Sequence, residues 1–118
     1  PKEEVKALSF EEKMKFGKDR YMATCVACHQ ADGKGIEGAF PPLANADYLN
    51  ADVDRAIDIV LHGLSGEITV NGKKYNSVMT AQALNDEDVA NVLTYVYNSW
   101  GNNKTEVTPE MVDAVRNR

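Results

Sequence analysis

Five consecutive residues, Cys25-Val26-Ala27-Cys28-His29, concentrate the reactive chemistry of this chain. Two thiols three positions apart, with an imidazole directly after the second, have the spacing of a c-type haem attachment. Each thiol can add across one haem vinyl group, and the adjacent histidine can reach the iron from the same side of the ring. Two other chemistries use paired thiols. A structural zinc site needs four ligands, and the rest of the chain offers no further cysteine and one further histidine, His62. A dithiol redox pair of the thioredoxin kind needs a surrounding βαβ pattern, which is not visible. The spacing therefore points to one haem c, covalently bound through Cys25 and Cys28, with His29 on its iron.

A haem iron has a second axial position, and the chain has four methionines to offer. Met14 and Met22 precede the haem motif on the segment that supplies it, and Met111 belongs to the tail. Met79 lies near the middle of the uncharged stretch 76–84, far enough along to fold over the opposite haem face. A thioether is a soft, neutral ligand that raises the potential of haem iron relative to a second histidine. The plainer use of a methionine is to fill core. His62 is the other histidine that could ligate, but it falls in the last turn of a helix, where a cationic ring suits the helix dipole.

The elements that must position these groups are legible in part. Ser9 and Glu12 form a capping box that opens a helix at Phe10, and this helix runs to about Thr24 and delivers the chain to Cys25. Phe16, Gly17 and Tyr21 are expected on one face of it, with lysines and glutamates around the rest. Gly17 costs roughly 1 kcal/mol against alanine, which a close approach by another helix would justify, although a tolerated glycine reads the same way. Residues 30–50 read as a loop around Phe40-Pro41-Pro42-Leu43. Two successive prolines withhold two N–H donors but keep their carbonyls, one of which could take the Nδ1–H of His29; an ordinary turn is the alternative.

Val53, Ile57, Val60 and Leu61 keep helical spacing over 52–62, ended by Gly63. Ile68 to Tyr75, with Asn71-Gly72 at the centre, reads as a β-hairpin. Asn85 caps a long helix with Asp86, Glu87 and Asp88 in its first turn, an apolar stripe through Trp100, and Gly101 as its stop. Thr108-Pro109 opens a short final helix.

The chain is 118 residues long, 43% hydrophobic and 26% charged, which bounds it to one globular domain over 1–118, with 1–8 as lead-in and 102–118 as a C-terminal loop and short helix. The net charge of −5 supplies no electrostatic footprint for nucleic acid or an anionic membrane, and no apolar run approaches the length of a membrane span. No signal-like segment opens the sequence and Pro1 is not a start methionine, so the chain is expected to be a processed or excised product.

The pattern over roughly 9–100 resembles class I cytochromes c. In that family the first helix carries Gly-x-x-x-aromatic four residues ahead of the first cysteine, as Gly17 and Tyr21 do. A Pro-x-Leu follows the proximal histidine by about a dozen residues, as Pro41-Pro42-Leu43 does. The distal methionine precedes the last long helix, as Met79 does. The resemblance implies an all-α fold of helices around one covalently bound haem, with a small β-hairpin. It also implies Pro41 C=O accepting from His29, both His29 and Met79 on the iron, and Phe40 and Tyr75 against the haem. Phe-Pro-Pro-Leu-Ala, the Val-Asn-Gly hairpin and the Leu-Thr-Tyr-Val-Tyr-Asn-Ser-Trp-Gly segment with its Thr-Pro-Glu tail look like the cytochrome c domain fused to some copper nitrite reductases, and like cytochrome subunits of certain periplasmic dehydrogenases. One position departs from them: Thr80 stands where such relatives commonly carry proline, which predicts a looser ligand loop.

The expected function is one-electron transfer in the periplasm rather than catalysis. The chain would pass electrons to or from a redox enzyme, foremost as donor to a copper nitrite reductase, fused or excised, and otherwise as acceptor for a periplasmic dehydrogenase. A haem peroxidase or gas-binding module is the alternative if Met79 does not ligate. Stretches 21–31, 38–46 and 75–85 carry no Asp, Glu, Lys or Arg. They predict an uncharged docking patch at the haem edge involving Val26, Ala27, Phe40, Pro42, Thr80 and Ala81.

Overall fold

The computed structural model describes residues 8–118, so the greater part of the expected lead-in 1–8 lies outside the described residues. Ser9 starts helix α1 (Phe10–Thr24) through the reciprocal capping box: its hydroxyl accepts from Glu12 N–H at 3.1 Å, and the Glu12 carboxylate accepts from Ser9 N–H at 3.1 Å. This satisfies two of the N–H groups that a helix start leaves open. After Cys25, a single turn, α2 (Val26–His29), carries the haem motif.

Helix α1 packs most extensively on α5 (Asp86–Tyr97), whose N-cap Asn85 accepts from Asp88 N–H. Gly17 makes that crossing possible. A methyl group there would stand 2.1 Å from the backbone oxygen of Asn91 and 2.8 Å from Tyr95 Cβ. Since the first obstacle is backbone, only a residue without Cβ lets the axes approach this closely. Tyr21, fully buried, extends the same contact and donates its hydroxyl to Gln30 O at 2.5 Å. Tyr95 and Trp100 close around it, with ring centroids 5.3–5.7 Å apart in tilted and edge-on pairs.

Phe16 does not share this face. It is 45% exposed, and the third buried residue of α1 is Lys13, one turn ahead of Gly17. The Lys13 ammonium is buried because it has partners: it donates to Val107 O at 3.0 Å and to Glu106 Oε2 at 3.1 Å. A charge in the interior is tolerable only when paired and hydrogen-bonded in this way.

The expected loop 30–50 contains a short helix, α3 (Asp47–Ala51), that opens from Ala46 without a side-chain cap. Helix α4 (Val53–His62) follows, with Asp52 Oδ1 accepting from Arg55 N–H and Ile57 and Leu61 buried. Strands β1 (Ile68–Val70) and β2 (Lys73–Tyr75) pair antiparallel, Ile68 against Tyr75 and Val70 against Lys73. Their two-residue turn has positive φ at both Asn71 (52°) and Gly72 (81°), which suits the twist of a hairpin. The secondary structure is thus helices with one two-stranded hairpin, the fold class expected from the sequence.

Helix α5 ends earlier than its apolar stripe suggested, at Tyr97 rather than near Trp100. Asn98 and Asn102 cause this. Their side-chain amides donate to Thr94 O, Thr105 O, Val96 O and Leu43 O, so the last-turn carbonyls are satisfied from outside the helix. Trp100 then adopts φ 54°, outside the helix, and its ring lies over Gly33. The tail returns to α6 (Pro109–Arg116), capped by Thr108 and starting on proline, and packs on α4 and α5.

Candidate functional site

Two adjoining clefts share the walls Cys25, His29, Pro41, Leu64, Ile68, Met79 and Gln82. The inner one, ≈ 100 Å³, runs to Leu49, Ala56, Val92, Leu93 and Val96 in the core. The outer one, ≈ 410 Å³, is bordered by Cys28, Phe40, Tyr75, Val78 and Thr80. Cys25, Cys28, His29, Phe40, Pro41, Tyr75 and Met79, the residues named from the sequence, all line this one space.

His29 is buried and its Nδ1 lies 2.9 Å from Pro41 O. A carbonyl can only accept, so Nδ1 carries the proton and Nε2 keeps its lone pair. Burial holds the imidazole below its usual pKa, with the Pro41 carbonyl opposing part of that effect, so the ring is neutral at physiological pH. A neutral ring with a fixed tautomer is the form a metal takes. The loop that brings Pro41 here depends on Gly35. It adopts φ +65°, and a methyl group on it would stand 2.3 Å from Phe40 O and 2.6 Å from Pro41 O. Gly35 N–H also donates to His29 O at 3.0 Å, tying the proline loop to the haem motif twice.

Met79, which lines both clefts, exchanges both backbone hydrogen bonds with Leu64, each 2.9 Å, and Gln82 N–H donates to Val60 O at 2.9 Å. These bonds lay the methionine segment along the end of α4. His62, by contrast, is exposed and pairs with Asp58 at 2.8 Å; it lines neither cleft.

The donor set separates the chemistries left open by the sequence. Among the described residues no three His, Cys, Asp or Glu side chains converge as a metal site, so zinc lacks its ligands. A redox dithiol needs a thiol of lowered pKa, whereas burial, and then the neighbouring Cys28, push the Cys25 thiol up to about 11. The cleft is instead apolar, broad and rimmed by two free thiols, which fits a haem.

Several lining residues carry no signal in the sequence, and Arg55 is the chemically distinct one among them. Arg55 is the one charged side chain on the inner cleft among the described residues. Its guanidinium stacks 3.7 Å above the Tyr48 ring, and Nη2 donates to Tyr48 O at 2.6 Å. On an amphipathic helix an arginine reads as a solvent-facing residue, and only the α3 tyrosine, itself unforeseen, turns it inward.

A neutral imidazole and a methionine among the lining of the same apolar clefts suit a redox cofactor. The fold and site are those of an electron-carrying haem protein. The family model described as cytochrome c matches residues 14–100. Cytochrome c-552 of Thermus thermophilus is 47% identical over 87 residues, covering 70% of this chain and 66% of that protein. Cytochrome c-554(548) of Halomonas halodenitrificans is 33% identical over 81 residues, 67% of this chain and 87% of that protein. The fructose dehydrogenase cytochrome subunit of Gluconobacter japonicus is 32% identical over 103 residues, 81% of this chain but 21% of that subunit. The match thus spans just under two thirds of cytochrome c-552 and about a fifth of the dehydrogenase subunit. The chain belongs to the cytochrome c family. As such it carries one covalently attached c-type haem, the group with which cytochromes c transfer electrons.

Proposed function

We propose that the chain is a one-electron carrier forming a single cytochrome c domain over 1–118, with thioethers at Cys25 and Cys28 and with His29 and Met79 as the two axial ligands. The observation that carries this reading is that His29 and Met79 line the same clefts, the imidazole with Nε2 unused. Bound there, the haem supplies a reversible one-electron couple. The chain does the rest. Pro41 fixes the imidazole and raises its basicity as a ligand. Leu49, Val92, Leu93 and Val96 exclude water, while Phe40 and Tyr75 wall the outer edge. Arg55 is the cation available to a haem carboxylate.

With both axial positions filled, no site remains for a substrate, and the partner is another redox protein or a tethered enzyme domain. The names of relatives favour a dehydrogenase: the chain resembles cytochrome subunits of fructose and of quinone-dependent alcohol dehydrogenases. The Phe-Pro-Pro-Leu-Ala and Leu-Thr-Tyr-Val-Tyr-Asn-Ser-Trp-Gly segments keep a copper nitrite reductase as the other candidate acceptor. Either places the protein in the periplasm. No described helix is long and apolar enough to cross a membrane. Docking uses the uncharged rim. Ala27, Thr80 and Ala81 are exposed there, and Val26, Phe40 and Pro42 are half-buried beside them.

Met79→Ala tests the ligand assignment. Haem should stay attached while the weak far-red sulfur-to-iron absorption of the oxidised protein disappears and cyanide binds far faster. An unchanged spectrum and an unchanged cyanide rate would remove Met79 from the iron and favour a peroxidase or gas-binding role. Docking is tested by the bimolecular electron-transfer rate with each purified candidate partner. Steered association falls steeply with ionic strength, so an uncharged contact predicts a rate that changes by less than about threefold between low and physiological salt.

A further inference from the structure

The methionine segment is anchored from two directions, and only one of them lies within the stretch that matches the family. Met79–Leu64 and Gln82–Val60 tie it to α4 and the chain just beyond. The other anchor comes from the last turn of α6, past residue 100. There Arg116 Nη2 donates to Leu84 O at 2.9 Å and Nε to Asp86 Oδ1 at 2.8 Å. Leu84 lines the inner cleft five residues after Met79, and Asp86 opens α5. One guanidinium therefore joins the end of the ligand segment to the start of the helix that follows it. A fork of donors suits this; an ammonium, a point donor, does not reproduce it. Arg118, two residues on, pairs with Asp54 of α4 at 2.7 Å, its one ion pair among the described residues.

From this arrangement we infer that Arg116 is a positioning residue for the sixth iron ligand: α6 holds the 79–85 segment against the haem face and slows its departure from the iron. The inference rests on Met79 being that ligand. Its weight is increased by Thr80, which leaves the segment without the stiffness of a proline and makes external anchoring matter more. A hydrogen bond to a charged group is worth more than a neutral one, but Arg116 and Asp86 are both about a third exposed, which discounts it.

The experiment measures, on the haem-loaded oxidised chain, the rate of cyanide binding and the intensity of the far-red band, alongside global stability in denaturant. Four proteins are compared: parent, Arg116→Ala, Arg116→Lys and Arg118→Ala. Arg116→Ala should bind cyanide roughly three- to tenfold faster. Arg116→Lys should recover less than half of that change, and Arg118→Ala should stay within twofold of the parent. If Arg116→Ala and Arg118→Ala accelerate cyanide only in proportion to their loss of global stability, α6 merely stabilises the whole protein and the inference fails. It fails also if neither changes the rate. Met79→Ala distinguishes the two levels: a parent-like far-red band in that variant sinks the ligand assignment, whereas a lost band with an unresponsive Arg116→Ala sinks the α6 inference alone.

Discussion

The two faces of the haem cleft are built by different means. The cysteine side rests on packed backbone: α1 crosses α5 at Gly17 with no room for a methyl group, and Tyr21 is sealed beneath Tyr95 and Trp100. The methionine side is a strand-like segment held by a few hydrogen bonds, with Val78, Thr80 and Ala81 exposed. Close packing resists any displacement, since each small shift forfeits many contacts at once. A handful of hydrogen bonds, each worth about 1 kcal/mol net, can open together without disturbing the core. On the proposed ligation, the contrast teaches that His29 would be fixed by the fold itself and Met79 by a detachable segment. Ligand loss should therefore begin on the methionine side while the cysteine side stays folded.

The most severe way to break the contrast is to remove what both faces share. Replacing Cys25 and Cys28 with alanine should abolish covalent haem and leave a chain without the filling of its central cleft. Circular dichroism and denaturant titration should show loss of cooperative unfolding; a well-ordered apo-protein would mean the core stands without its cofactor.

Gly17→Val attacks the packed face alone. Its Cβ would meet backbone rather than a movable side chain, and overpacking typically costs about 1–3 kcal/mol. The melting temperature should fall sharply while the far-red band at low temperature changes little. A valine variant that melts with the parent would show that α1 and α5 can part freely.

Tyr97 gives a smaller, pH-dependent readout on the same side. Its hydroxyl donates to Leu49 O at 2.8 Å, and burial, reinforced by Asp52, pushes its pKa up to about 12. A folded-state pKa above the unfolded value of about 10 means that the stabilisation is complete below pH 10 and is lost as the pH rises toward 12. Tyr97→Phe should cost about 1–2 kcal/mol at neutral pH and flatten the alkaline fall in stability over that window. An alkaline limb unchanged by the substitution would assign the fall to other groups.

The mildest change sharpens the contrast from the other side. Thr80 N–H donates to no group among the described residues, so proline forfeits no hydrogen bond there. Thr80→Pro should stabilise the methionine segment by about 0.4–1 kcal/mol through reduced freedom of the open state. Cyanide binding should slow severalfold with the melting temperature nearly constant. Acceleration instead would mean that Thr80 holds a backbone angle proline cannot adopt.

What could be read from the sequence was what is local. The Ser9 capping box, the Asn71-Gly72 turn and the Asn85 cap each depend on residues within a few positions, and each stands where the pattern placed it. The haem motif was legible because cysteine and histidine are scarce in this chain. What escaped depends on distant partners. Lys13 replaces Phe16 in the interior because Glu106 and Val107 come back to meet it. Helix α5 stops at Tyr97 because Asn102 reaches both Val96 and Leu43. Arg55 turns inward because Tyr48, on a helix hidden in a glycine- and proline-rich stretch, offers it a ring and a carbonyl.

Two side chains converge through three hydrogen bonds on one residue of the tail. Val107 O accepts from both Lys13 and Thr94, and Val107 N–H donates to the Thr94 hydroxyl at 2.9 Å, all three residues being buried. The segment recognisable by descent runs from 14 to 100, yet the buried Thr94 hydroxyl finds its complement at 107, as does the Lys13 ammonium just ahead of that segment. Shared ancestry and cooperative folding therefore draw different borders around this molecule. A graft or trimmed version cut along the inherited border would retain the Thr94 hydroxyl in the core without Val107 to answer it.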